Sequence, residues 1–358
     1  LQARQVAEII QRLSPDVVLL NEFNYDEAGR AADLFQQNFL GVPQNASSSP
    51  SPSDPIHYPY RYLAPSNTGI PSGFDLNNDG QIASDVGTRA YGDDAFGFGE
   101  FPGRYGMLLL SKYPILETQV RTFQRFLWRD MPGALLPDDL STPAPGDWYS
   151  PEELNVVRLS SKSHWDVPIQ IGDRQLHLLL SHPTPPAFDG PEDRNGRRNH
   201  DEIRLWADYL SPETGDYLVD DQGRGGALSG DASFVIMGDL NADPDKGDSF
   251  PGAIAQLLDH PRVNSTVIPT TFSGNSDTAT FNLRVDYVLP SNNLTLLDTA
   301  VFRPENTDPL ARLLRASDHR LVWADIELLP VPEPTSRCML ALAAVTTAVF
   351  RGPRRLVA

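Results

Sequence analysis

The sequence predicts a mixed α/β (α+β) fold, and three observations lead there. Short apolar runs at 16–20, 176–180 and 234–237 each close on a turn-forming cluster and lead into a polar residue, Glu22, His182 and Asp239 respectively. Helical spacing appears at 2–13 and at 197–210, where Ile203, Leu205, Trp206 and Leu210 share one apolar side. The 358 residues are 40% hydrophobic, enough for a large single core. Pattern alone does not choose between α/β and α+β layering.

Helix 2–13 opens the chain, the strand at 16–20 follows, and a second helix is expected over 26–40. A loop-rich stretch runs from 41 to about 104, beginning with Pro/Ser-rich sequence at 45–55. Strands are expected near 107–110, 154–160, 168–171 and 175–181, with a Pro-rich insertion at 126–151. After helix 197–210 the C-terminal half repeats strand, loop and helix up to a last strand at 321–327, and no internal repeat is visible. Glycine (26) and proline (32) together make about a sixth of the chain, so long, ordered loops are implied.

A net charge of −18 argues against a broad basic face tracking a nucleic-acid backbone. A local basic patch remains, with Arg194, Arg197 and Arg198 clustered near His182 in sequence. The one cysteine, Cys338, lies in the C-terminal stretch, so the folded part has no disulfide, and cysteine use does not fix the compartment.

Hydrolysing a phosphate ester needs a hard cation on carboxylate oxygens, a base for water and donors for phosphoryl oxygens. Four segments offer these groups: Asn21-Glu22, Ser181-His182-Pro183, Gly238-Asp239-Leu240-Asn241 and Ser317-Asp318-His319. Two more are Tyr105-Gly106-Met107, continuing through Ser111-Lys112-Tyr113-Pro114, and Arg284-Val285-Asp286-Tyr287. Each is weak alone, but the six taken in chain order, across roughly 300 residues, resemble the endonuclease/exonuclease/phosphatase superfamily, the DNase I-like group.

The resemblance implies a four-layer sandwich, two packed mixed β-sheets flanked by helices, that hydrolyses a phosphate ester with a divalent metal. Glu22 would hold Mg²⁺ or Mn²⁺, with Asp318 reaching the same ion. His319 would take a proton from water while Asp286 fixes its tautomer. His182 would donate to a phosphoryl oxygen or to the leaving group, Asp239 would position water or the leaving oxygen, and Asn241 would bind phosphate through its amide. Tyr105 and His164 are expected to line the pocket. The polar stretch 181–201 is expected to form one wall, with Arg197 or Arg198 facing a phosphate or pairing Asp193 and Glu192. Family members begin with a strand whose asparagine helps hold the metal. Here the chain opens on Leu1 at a helix, with neither initiator methionine nor signal peptide, so a fragment lacking that strand and any export signal is expected.

Two further features stand outside that frame. The run Asp75-Leu76-Asn77-Asn78-Asp79-Gly80-Gln81-Ile82 spaces Asp75, Asn77, Asp79 and Gln81 as calcium loops of the EF-hand kind do, a candidate structural Ca²⁺ site, although Val86 stands where the usual glutamate would. Asx-rich turns of this composition also form without metal. Beyond a domain of 1–329, residues 330–358 carry Val331-Pro332-Glu333-Pro334, an uncharged apolar segment at 338–350 and a basic end. That order resembles the PEP-CTERM sorting signal, which implies export, recognition by an exosortase-type processing enzyme and transient membrane anchoring at the cell surface. The apolar run is shorter than the ~20 residues of a full span. A monomer is expected. Nucleic acid, a phospholipid head group and a small phosphate ester all remain open as substrates. The rival class is a non-catalytic, calcium-stabilised surface or binding protein that keeps the fold, against which the intact set of acids and histidines argues.

Overall fold

The structure, a computed structural model, describes residues 1–328 and the backbone of 355–357. The first sheet contains β1 (Val17–Asn21), β2 (Tyr60–Tyr62), β3 (Met107–Ser111), β9 (Thr295–Val301), β10 (Val322–Glu327) and β11 (Arg355–Val357), ordered β2-β3-β1-β11-β10-β9. The second contains β4 (Arg121–Thr122), β5 (His164–Ile171), β6 (Arg174–Ser181), β7 (Phe234–Asp239) and β8 (Asp286–Pro290), side by side in that order.

Side-chain alternation builds the layers. Val17 and Leu19 of β1 turn inward and meet Val167, Leu178, Leu180 and Val235 of the other sheet in a core between the two. Val18 turns outward, onto Ala7 and Ile10 of α1 (Gln2–Leu13). Beneath the second sheet, Leu179 and Ile236 pack on Ile203 and Trp206 of α5 (Arg194–Tyr209). The result is two sheets with a helical layer on each outer face, as the sequence resemblance implies. Shorter helices complete the set: α2 (Arg30–Phe35), which continues as a π-helical turn Gln36–Leu40, α3 (Arg89–Asp93), α4 (Pro151–Leu154) and α6 (Ala255–Leu258).

Two expectations need correction. No strand forms at 154–160. Ser150 caps α4 through a capping box with Glu153, and Pro151 at the first turn fixes the helical φ, so the chain enters 155 from a helix end. The helix expected over 26–40 starts only at Arg30, because Asp26 accepts from the backbone N–H of Arg30 and Ala31 and Gly29 takes a left-handed turn before it.

Within 330–358 the described part is the backbone of β11, which runs parallel to β1 and antiparallel to β10 in the slot between them. The apolar segment 338–350 and the Pro332-Glu333-Pro334 motif lie outside the described residues. No helix among the described residues is long and apolar enough to cross a membrane.

Candidate active site

Strand polarity gathers the chemistry at one end of the sandwich. β1 ends at Asn21, and Glu22 follows it; β6 and β7 run parallel and end at Ser181 and Asp239; β8 is antiparallel to β7 and begins at Asp286. Asp239 and Asp286 are direct cross-strand partners, an arrangement that like charges disfavour. The 318–320 segment arrives by pairing with 278–280: Thr280 N–H donates to the Asp318 carbonyl and Arg320 N–H to that of Thr278. Thr278 also accepts, through its hydroxyl, from the N–H groups of Val285 and Asp286 at 2.9 and 3.0 Å. His319 is thereby set beside Asp286.

The imidazole of His319 meets both Asp286 oxygens through Nδ1, at 2.9 and 3.2 Å, which leaves Nε2 for the cavity. Its Nδ1 lies 3.7 Å from Asp239 Oδ2, and on the other side Asp239 Oδ2 lies 3.5 Å from His182 Nε2. A cavity of about 490 Å³ opens here, lined by Glu22, Tyr105, Asp239, Asp286, Asp318 and His319 among others. Glu22, Tyr105 and Asn241 all hold left-handed φ, between 54° and 59°, a conformation that side chains other than glycine adopt at a cost.

Charge follows from burial and proximity. Burial, followed by the neighbouring Asp286 charge, pushes the Asp239 carboxyl up into the neutral range. For His319, burial works downward, but the Asp286 hydrogen bond and the charges of Asp286, Asp239 and Asp318 outweigh it and raise the imidazole to about 10. His182 is held well below the ordinary histidine value, first by burial and then by the charges of Lys162 and His319, and it is neutral. Its Nδ1 has no hydrogen-bond partner.

Asp239, Asp286 and His319 each place one ligand atom within 4.8 Å of the others, a group able to hold a metal ion. The buried carboxylates beside the Glu22 and Asp318 acids on the cavity wall form an oxygen-rich donor set that fits a hard divalent cation. The Asn21 Oδ1 atom, buried next to Glu22, also has no protein donor.

Several expected residues do not face the cavity. His164 is fully enclosed, with Nδ1 2.7 Å from Ser160 Oγ and Nε2 2.8 Å from the Glu202 carbonyl, so both ring nitrogens are already used. Arg198 donates to the carbonyls of Leu159 and Arg158, each at 2.8 Å, and to that of Phe96, and it fastens loops together. Arg197 lies over the Phe250 ring, and it is Arg194, not either of these, that pairs with Glu192. In the candidate calcium loop, Asp75 accepts from the N–H groups of Asp79 and Gly80, Asn77 from that of Asp79, and Asp79 from that of Gln81. None of these four residues lines the cavity.

Other residues at the site carry no sequence motif. Arg104 lines the cavity, stacked 4.4 Å from the Tyr105 ring centre. Glu202, enclosed on α5, accepts from Ser161 N–H and Thr184 N–H, each at 2.6 Å, and Asn199 one turn earlier donates to the Thr184 and Leu240 carbonyls. The readable signal was the placing of Asn199 and Glu202 on the same helical side as Ile203 and Trp206, where polar groups are not expected without partners.

A sequence profile described as the Endonuclease/Exonuclease/phosphatase family matches residues 1–319. An endonuclease/exonuclease/phosphatase from Beutenbergia cavernae is similar in structure, with TM-score 0.51 and 16% identity over 93% of this chain and 67% of that one. Sphingomyelinase C from Streptomyces griseocarneus (TM-score 0.44, 16% identity, 90% and 89% covered) and the human Nocturnin catalytic domain (0.45, 13%, 91% and 85%) are also similar. No curated protein matches the sequence. With its profile spanning nearly the whole described chain and its fold shared, the chain belongs to the endonuclease/exonuclease/phosphatase family, whose members hydrolyse phosphate esters.

Proposed function

We propose that the protein is a divalent-metal-dependent phosphoesterase that attacks a phosphate ester with water. The observation that supports this best is the Asp286–His319 pair on the cavity wall, with the buried, neutral His182 behind Asp239 at 3.5 Å. Nε2 of His319, with Nδ1 fixed by Asp286, is the atom that takes the proton of the attacking water. His182 donates to a phosphoryl oxygen or the departing oxygen, Asp239 orients water or the departing oxygen, and the Asn241 amide holds phosphate. Glu22 and Asp318 hold the cation. Mg²⁺ or Mn²⁺ held by these carboxylates would supply Lewis-acid charge to the phosphoryl group, and its positive charge would counter the carboxylate field that raises His319.

The test is hydrolysis of a panel of DNA, RNA, sphingomyelin and phosphomonoesters with and without Mg²⁺. His319→Ala is expected to lose about 10²- to 10⁴-fold in kcat with a modest change in KM. Asp286→Asn should lose less, since the imidazole stays but its tautomer is no longer enforced. Near-wild-type turnover by His319→Ala would sink the mechanism. The proposal extends to an exported protein held at the surface through 330–358. Mass spectrometry of the exported form that found the complete basic end, Arg354-Arg355, would contradict it.

A further inference from the structure

Lys162 is 6% exposed and precedes β5, and its ammonium reaches the carbonyl of Pro183, the residue after His182. Glu202 fixes it in place from both sides, since the same carboxylate accepts from Ser161 N–H, next to the lysine, and from Thr184 N–H, two residues after His182. The Lys162 ammonium makes one hydrogen bond among the described residues, a long one of 3.4 Å to the Pro183 carbonyl. That carbonyl also receives the Asn241 amide at 3.1 Å. The ammonium and the amide therefore converge on one oxygen, directly after His182, whose Nδ1 is itself unpartnered.

A buried ammonium without a carboxylate in contact is costly, by several kcal/mol after relaxation. Among the described residues none forms an ion pair with it; Glu202, Asp239 and Glu22 act on it only through space, while burial works to strip its proton. Glu202 is committed to two backbone donors. What would complete this cluster of a cation, an amide and an imidazole is an anion of their own size.

We propose that Lys162 is a phosphoryl-binding residue, donating to a non-bridging oxygen of the substrate phosphate beside Asn241 and His182. This rests on the phosphoesterase reading and adds to it a fixed positive charge supplied by the chain itself. Lysine suits the position because its compact ammonium carries three donors, of which Pro183 uses one.

The experiment measures kcat/KM and, separately, equilibrium binding of inorganic phosphate by calorimetry, for wild type, Lys162→Met, Lys162→Gln, Lys162→Arg and His319→Ala. Lys162→Met and Lys162→Gln should weaken phosphate binding at least about 10-fold and lower kcat/KM by about 10²-fold, the scale of one lost oxyanion donor. Lys162→Arg should recover part of both, and thermal melts of the neutral variants should match or exceed wild type, because an uncompensated buried charge has gone. His319→Ala, which leaves the Lys162, Asn241 and His182 cluster intact, should lose turnover while its phosphate affinity falls less than that of the neutral Lys162 variants. Wild-type phosphate affinity in the neutral variants, or failure of both to fold, would assign Lys162 to the scaffold and overturn the proposal. A wild type that hydrolyses nothing in the panel would instead overturn the phosphoesterase reading.

Discussion

At the residue scale, His164 illustrates how a histidine near a catalytic site can serve stability alone. Burial holds its imidazole down at about 4, against a small opposing pull from Glu202. Between about 6.5 and 4 the unfolded chain takes a proton that the folded one refuses, so stability is full above pH 6.5 and falls as the pH drops through this window. At 1.36 kcal/mol per unit the loss is about 3 kcal/mol. Urea melts from pH 8 to 4.5 should show a steeper acid limb in wild type than in His164→Gln, whose amide cannot titrate. The sequence could not separate this histidine from His182. Both stand in short polar runs where β5 begins and β6 ends, His164 directly opposite Ser181, and only the approach of α5, which brings the Glu202 carbonyl to one His164 nitrogen while Ser160 takes the other, shows that its ring is already fully used.

At the element scale, the site depends on β6 and β7 approaching closely where they deliver His182 and Asp239. Gly238 permits it: a Cβ there would stand 2.0 Å from the Ser181 carbonyl oxygen. Gly238→Ala should push the strand ends apart, costing about 1–3 kcal/mol and most of the activity. Gly225→Ala, which meets open space, is the control and should stay within about 0.5 kcal/mol. Denaturant melts and turnover on both variants check this. Strands leading into Glu22, His182 and Asp239 were readable because an apolar run followed by an acid or histidine is a local pattern. Lys162, Thr278 and Glu202 were not, because each acts through a partner 18 or more residues away or through a backbone atom that no motif marks. Arg197 and Arg198 were misjudged for a related reason: the facing of α5 is set by Ile203 and Trp206 in the core, and that rotation turns Arg198 onto carbonyls.

At the scale of the whole molecule, acids from both sheets converge on one cavity in a chain already at −18. A cation bound only in the folded state should therefore raise overall stability, by about 2.7 kcal/mol at a hundred times its dissociation constant. Thermal melts should rise with Mg²⁺ and fall with chelator, and Glu22→Gln should need more Mg²⁺ for the same gain. An identical Mg²⁺ response in Glu22→Gln would exclude that carboxylate as a ligand. The two-sheet architecture was legible only through the family resemblance that the six motifs carry in chain order, since the strand pattern by itself stops at α/β or α+β, and the loop regions between the motifs carried no periodic signal to read. The left-handed backbone at Glu22, Tyr105 and Asn241 has one more implication. Replacing any of them by glycine removes about 1–2 kcal/mol of local strain and adds back about 0.5–1 kcal/mol of chain entropy. The fold would barely register the exchange while the functional group disappears. Damage at these three positions would thus escape any screen that scores abundance or melting, and only an assay of the reaction itself would detect it.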